Sequence, residues 1–293
     1  MNFDWVNHPH DIIPYLPARL YKFRFWDSQY HKDVLEQQHL YFSTPPELWK
    51  VGDKDDCLYP IYFPKNPKEF YSILEAMSPE KPWASGMSDN DIRRARWQRA
   101  LVDSDPYMCE QREKEYFEYQ NKKLRVLSMT RRYDNEAMWN DSTYGSFEKG
   151  FCVGIDPAHL IVELFGKGIS GGLCEYVPRG SPPLEYVSYS KDGSEAAIQM
   201  AVRHLHMKYN DFSKEEEYRF VKRYFDQMYP TGINQSDWYL PVPKSGFKEV
   251  LVGYLMPDKD VDEIKNTCAR HSLAVDFYQA YPDGKGNIDV KRI

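Results

Sequence analysis

Residues 19–43 read RLYKFRFWDSQYHKDVLEQQHLYFS, and the order of structure written into them sets the class of fold. Over 19–27, aromatic and basic side chains alternate. The period of two predicts a strand with Tyr21, Phe23 and Phe25 on one face and Lys22, Arg24 and Trp26 on the other. Ser28 then stands where a helix cap belongs, and a short helix runs through Gln38. HLYFS (39–43) is a second strand. In the TPPELW that follows, Pro45 and Pro46 cannot continue a central ladder, so the chain turns.

Working outward, LRVLSMT (124–130) and FCVGID (151–156) read as buried strands separated by a polar-aromatic loop, RRYDNEAMWNDSTYGSFEKG. Asp156-Pro157 starts a helix, with Asp at the cap and Pro at the first helical position. LCEYV (173–177) and LEYVSY (184–189) are short strands, and SEAAIQMAVRHLHMKY (194–209) has the apolar spacing of an amphipathic helix. EEEYRFVKRYF (215–225), FKEVLVGYL (247–255) and LAVDFYQAY (273–281) read as strands, with a helix from Asp258 to His271 between the last two. From 66 to 123 the text is instead charged, aromatic and helical, with Ser88 and Asp91 at capping-box spacing. The expected architecture is a single α+β domain over 1–293 carrying a helical insertion at 66–123, without the regular alternation of a doubly wound fold.

Composition bounds the function. Aromatic residues are abundant, 23 Tyr, 15 Phe and 7 Trp, and this much apolar area excludes a disordered chain. A net charge of −6 does not advertise nucleic-acid binding. Cys57, Cys109, Cys152, Cys174 and Cys268 are odd in number and never form a CxxC pair, so reduced thiols and no zinc site are expected. No run reaches the length of a membrane span and the N-terminus lacks the pattern of a signal peptide, which reads as cytoplasmic with no membrane partner.

Four constellations could carry chemistry. On a strand, Glu215, Glu217 and Arg219 would share one face; paired carboxylates repel, so such a face needs cationic partners and can do acid–base or cation-stabilising work, whereas the bland alternative is a solvated strand start. The second is Tyr21, Lys22 and Arg24 with Ser43 and Thr44 at adjoining strand ends, set against a plain core strand and turn. Trp139 and Tyr144 sit in an aromatic, hydroxyl-rich loop fit to cover a ligand or to pack on the core. In DIRRARWQRA (91–100), Arg93, Arg96 and Arg99 follow one helical side beside Trp97, a candidate nucleic-acid contact or a solvated helix face. GKGISGG (166–172) lacks phosphate-loop order and reads as a turn. His204 and His206, two apart on a helix, point to different faces, which disfavours shared metal ligation.

Taken together, LYKFRF, LYFSTPPELW, the block SMTRRYDNEAMWNDSTYGSFEKGFCVGID and EEEYRFV resemble a bacterial domain family of unknown function, over about residues 20 to 255. That family is similar in turn to divergent ADP-ribosyltransferases. The resemblance implies a split mixed or antiparallel sheet, NAD as co-substrate, and a macromolecular acceptor, RNA, DNA or protein, in a toxin or phage-defence setting that includes an antitoxin or chaperone partner; the histidine and cysteine spacing separately implies no metal. It assigns Tyr21 or Lys22 to the adenosine side of NAD, Ser43 and Thr44 to the nicotinamide ribose, Trp139 or Tyr144 to nicotinamide stacking, Glu217 to catalysis and Glu215 to orienting the acceptor. Arg24 would join the cofactor set, with Arg93, Arg96, Trp97 and Arg219 contacting substrate. The chain departs from the family pattern in WKVGDKDDC (49–57), where an Asn-Asp-Pro turn is expected. A catalytically inactive, partner-binding member of the fold and a metal-dependent nuclease are the alternatives.

Overall fold

The computed structural model describes residues 15–50, 55–77, 86–140, 145–164, 169–185, 203–224 and 233–293. In chain order the elements are β1 (Leu20–Phe25), α1 (Gln29–Glu36), β2 (His39–Tyr41), α2 (Pro45–Lys50), β3 (Ile61–Tyr62), α3 (Pro67–Met77), α4 (Asp89–Asp103), α5 (Pro106–Lys123), β4 (Leu124–Thr130), α6 (Glu136–Asn140) and β5 (Gly150–Ile155). They continue with α7 (Pro157–Leu164), β6 (Ile169–Leu173), β7 (Glu175–Val177), β8 (Leu184–Glu185), β9 (Met207–Tyr209), β10 (Glu217–Arg223), β11 (Tyr239–Pro241), β12 (Phe247–Gly253), α8 (Asp258–Arg270), β13 (Asp276–Pro282) and β14 (Ile288–Arg292).

The expected α+β class is present as a large mixed sheet with helices against it. The sheet runs β14-β13-β12-β5-β1-β4-β10-β6. Its neighbours are antiparallel except β12 and β13, which are parallel and joined through α8; a parallel pair needs such a crossover. One face packs on α1, α7 and α8 around Leu20, Phe151, Val153, Phe220, Leu160 and Ile264. On the other face a second cluster, Tyr21, Phe23, Trp139, Phe147 and Leu251, lies over the centre. The period-two text of β1 explains this division, since Leu20 and Tyr21 fall in different cores.

Local signals place the helices. Ser28 caps α1, its hydroxyl accepting from the His31 N–H at 3.3 Å, and Ser88 caps α4 by accepting from the Asp91 N–H at 3.3 Å. α3, α4 and α5 occupy the 66–123 stretch, and α5 runs directly into β4.

Several expectations change. The turn after Thr44 is a helix: Pro45 and Pro46 fill its first positions, where no N–H is needed, and Thr44 with Glu47 forms a reciprocal cap, Thr44 N–H to Glu47 Oε2 at 2.7 Å and Glu47 N–H to Thr44 Oγ1 at 3.2 Å. In the expected helix 194–209, residues 194–202 lie outside the described residues; 203–206 are helical, but Met207–Tyr209 form β9, parallel to β7. The turn expected in GKGISGG is, from Ile169 on, the edge strand β6, with Gly171 beneath the Phe220 ring, where an added Cβ would lie 2.7 Å from Cδ1. Strand β10 starts at Glu217 rather than Glu215: Asn210–Glu215 is a 3₁₀ helix, and Glu216 turns through the left-handed region at φ 44 and ψ 47. Among the described residues no helix is long and apolar enough to cross a membrane.

Candidate functional site

The sheet opens between β1 and β4. These strands pair at Tyr21 and Thr130, and Glu217 pairs with Thr130 on the far side, so Tyr21, Thr130 and Glu217 form one row across three strands. Further along, Ser43 takes the place of a ladder partner, exchanging backbone hydrogen bonds with Val126 at 2.7 and 2.8 Å. Alternate residues of a strand present their backbone groups to the same side, so Ser128 also faces β1. Its carbonyl accepts from the Lys22 ammonium. A cleft of about 430 Å³ fills the opening, lined among others by Tyr21, Lys22, Arg24, Ser43, Glu215 and Glu217.

One end of the cleft is a buried ionic cluster. Arg219 is fully buried and holds two carboxylates. It meets Glu217 through Nε to Oε1 at 2.6 Å and Nη2 to Oε2 at 2.9 Å, and Asp56 through Nη1 to Oδ1 at 2.7 Å and Nη2 to Oδ2 at 2.9 Å. Lys208, also buried, donates to Glu215 Oε2 at 2.9 Å and to Glu217 Oε2 at 3.1 Å. The Glu217 N–H donates to the Tyr176 hydroxyl at 2.8 Å. Burial alone would raise the Glu217 pKa, but Arg219 and Lys208 outweigh it and hold the carboxyl far below its usual range. Burial would likewise lower Lys208, yet Glu217, Asp56 and Glu215 keep it charged and its pKa raised.

Glu216 explains how two glutamates in an EEE run meet one lysine. Its left-handed turn ends the 3₁₀ helix and starts β10, so Glu215 and Glu217 approach Lys208 from different elements. Outside, Arg131 (3.2 Å) and Arg132 (2.9 Å) bind the Glu216 carboxylate, and Asn135 donates to the Lys214 carbonyl at 2.5 Å; the loop after β4 thus fixes the turn.

The β1 side of the cleft is cationic and aromatic. Lys22 and Arg24 project from β1 opposite Tyr30, His31 and Tyr41. Burial, then Arg24, lowers the Lys22 pKa well below its ordinary value, against a partial counter-effect of Glu217 and Glu215. Burial also lowers Arg24. Tyr30 and Tyr41 meet edge to face at 5.2 Å.

The structure sorts the expected site residues. Tyr21, Lys22, Arg24, Ser43, Glu215 and Glu217 share the cleft. The Tyr21 hydroxyl, however, donates to Glu249 Oε1 at 2.7 Å, and Thr44 is used as a helix cap. Trp139 is fully buried, stacked on Phe147 at 5.5 Å with its Nε1 donating to the Tyr133 carbonyl at 2.7 Å; the core holds it and Met138 lines the cleft in its place. Tyr144 lies outside the described residues. Arg219 is an internal tie, not a substrate contact, because its guanidinium is sealed between two carboxylates. Arg93, Arg96 and Trp97 sit on α4, away from the cleft lining, with Trp97 against Tyr71 at 5.8 Å. Sequence reading missed Asp56, Lys208 and His31. Asp56 lies in the departure from the family text, the only signal available for it.

Comparison of the chain with protein-family models, with curated proteins and with solved structures gives no match.

Proposed function

We propose that the protein is an NAD-dependent ADP-ribosyltransferase acting on a macromolecule, with an ADP-ribosyltransferase-like split sheet. The observation that carries this reading is the make-up of the cleft, which brings the β1 cations Lys22 and Arg24 together with the carboxylates Glu215 and Glu217 in a volume of about 430 Å³ that suits a small-molecule cofactor. NAD offers groups for both, an anionic pyrophosphate and a ribose that becomes cationic when nicotinamide departs. In the proposed step the ribose–nicotinamide bond breaks and nicotinamide leaves with the bonding pair. A nucleophilic oxygen or nitrogen of the acceptor, protein or nucleic acid, bonds to the anomeric carbon.

The carboxylates stabilise the oxocarbenium character of that transition state. Glu217 stays ionised throughout, consistent with its depressed pKa, and cannot serve as an acid at neutral pH. Glu215, less buried and held by Lys208, orients the acceptor and takes its proton. Incubation with NAD carrying label in the ADP-ribose half tests the reading: label passing to protein or nucleic acid from a cell extract, with free nicotinamide released, is expected. Neither transfer nor nicotinamide release would exclude it.

A second reading is a non-catalytic, partner-binding member of the fold. It is favoured by the occupancy of Glu217, whose two oxygens are both hydrogen-bonded to Arg219 and Lys208. Partner binding unaffected by Glu215→Gln, with no NAD bound by calorimetry, would select it.

A further inference from the structure

The two β1 cations of the cleft, Lys22 and Arg24, are incompletely neutralised among the described residues, with Glu217 and Glu215 exerting only a partial counter-effect on Lys22. Among the described residues, neither Lys22 nor Arg24 has a carboxylate in ion-pair range. The Lys22 ammonium meets the Ser128 carbonyl, and Arg24 Nη1 donates to the Phe23 carbonyl at 3.2 Å. From α1, His31 brings a third nitrogen to the same wall. Its Nδ1 is buried without a hydrogen-bond partner, and the nearest carboxylate, Asp27, stands 3.9 Å away. By contrast, the buried cations Arg219 and Lys208 in the same cleft region are paired with carboxylates. Leaving the two β1 cations together, part-buried and without a carboxylate in ion-pair range, is unfavourable unless an anion completes the set.

We propose that the β1–α1 end of the cleft is a phosphate subsite, in which Lys22, Arg24 and His31 together take the pyrophosphate or phosphate-ester group of a small ligand. The subsite extends the NAD reading to His31, which that reading did not assign, and it holds whatever reaction the carboxylate end performs. The mutual repulsion of Lys22 and Arg24 supports it, because a bridging anion turns a like-charge contact into two charge-assisted hydrogen bonds. The edge-to-face Tyr30–Tyr41 pair supplies an apolar wall beside it. Because these groups lie within a cleft, a free diphosphate fits them better than the phosphate backbone of a duplex.

Titration calorimetry with inorganic pyrophosphate on the full chain tests the subsite. Saturable one-to-one binding is expected, weakened at least about 10-fold in Arg24→Gln and in Lys22→Gln, while the surface-helix variant Arg93→Gln is unchanged. Should a variant fail to fold, the wild-type chain answers alone: pyrophosphate should protect Lys22 from an amine-acylating reagent, read by peptide mass spectrometry. Equal affinity in the variants, or no protection of Lys22, overturns the proposal. Protection by a short oligonucleotide but not by pyrophosphate overturns the small-ligand assignment. The outcomes separate this subsite from the transferase reading: pyrophosphate bound without NAD turnover keeps the subsite and removes the transferase, and NAD turnover that Arg24→Gln leaves intact does the reverse.

Discussion

Arg219 and Glu217 form a two-pronged ion pair inside the sheet, with Nε 2.6 Å from Oε1 and Nη2 2.9 Å from Oε2. They stand two residues apart on β10, opposite Ser128 and Thr130 of β4. Breaking a buried pair leaves the surviving charge desolvated and uncompensated, which gives Glu217 a structural role beside the catalytic one proposed for it.

Glu217→Gln is therefore expected to lower unfolding free energy by roughly 3 to 5 kcal/mol, measured by denaturant titration at pH 7. The pH dependence has a definite sign. The folded-state pKa of Glu217 is depressed, so its contribution is fully present above the unfolded carboxylate value of about 4.3 and is lost as pH falls below it. The difference between wild type and Glu217→Gln should shrink in acid. A constant difference from pH 7 to pH 3 would contradict the pairing.

Glu215→Gln separates chemistry from folding. Glu215 is the more exposed of the two carboxylates, with 18% of its side chain accessible against 3% for Glu217. We expect its loss to cost about 1 kcal/mol or less while NAD turnover falls at least about 100-fold. Full turnover in this variant would remove Glu215 from the reaction.

Tyr21→Phe tests a role that the resemblance assigned and the geometry redirects. The hydroxyl is committed to Glu249, and burial together with that bond raises its pKa far above the ordinary tyrosine value. Removing it should cost about 1 kcal/mol of stability and leave ligand affinity within about 3-fold. A 100-fold loss of NAD affinity with an unchanged melting temperature would restore Tyr21 to the binding set.

His204 supplies a second pH signature, away from the cleft. It is completely buried, with Nε2 2.8 Å from the Tyr59 carbonyl and Nδ1 3.1 Å from Gln120 Nε2. Burial, partly opposed by the Tyr59 carbonyl, lowers its pKa to about 4. The unfolded chain binds this proton near the usual value of about 6.5, so stability declines as pH falls from there towards the folded value, by up to about 3 kcal/mol. His204→Gln should flatten that slope in urea titrations between pH 6.5 and pH 4. An unchanged slope would place the titration elsewhere.

What was legible in the sequence was local. The alternation in LYKFRF, the serines at 28 and 88 and the Asp156-Pro157 pair each act within a few residues, and each element forms where that text places it. What escaped depends on distant partners. Met207–Tyr209 has helical text on its N-terminal side, yet pairing with Glu175–Val177 makes it a strand and thereby delivers Lys208 to the glutamates. Asp56 reads as one more charge in DKDDC, and only Arg219 reveals it as a buried anchor. Trp139 sat in text that suggested a ligand cover, but the fold had Phe147 to stack it against. Periodicity could not register Glu216, since a left-handed residue changes direction without changing the pattern of letters.

The Asp56–Arg219 contact also bears on when the site comes into being. Its partners are 163 residues apart in the chain, and closing so long a loop is entropically slow compared with the helices and hairpins that form first. During synthesis the β1 cations emerge early and wait, while the carboxylate end cannot assemble until β10 has been made. A nascent or truncated chain ending before Arg219 therefore lacks the guanidinium that ties Glu217 to Asp56, and is left with Lys208 to hold the glutamates.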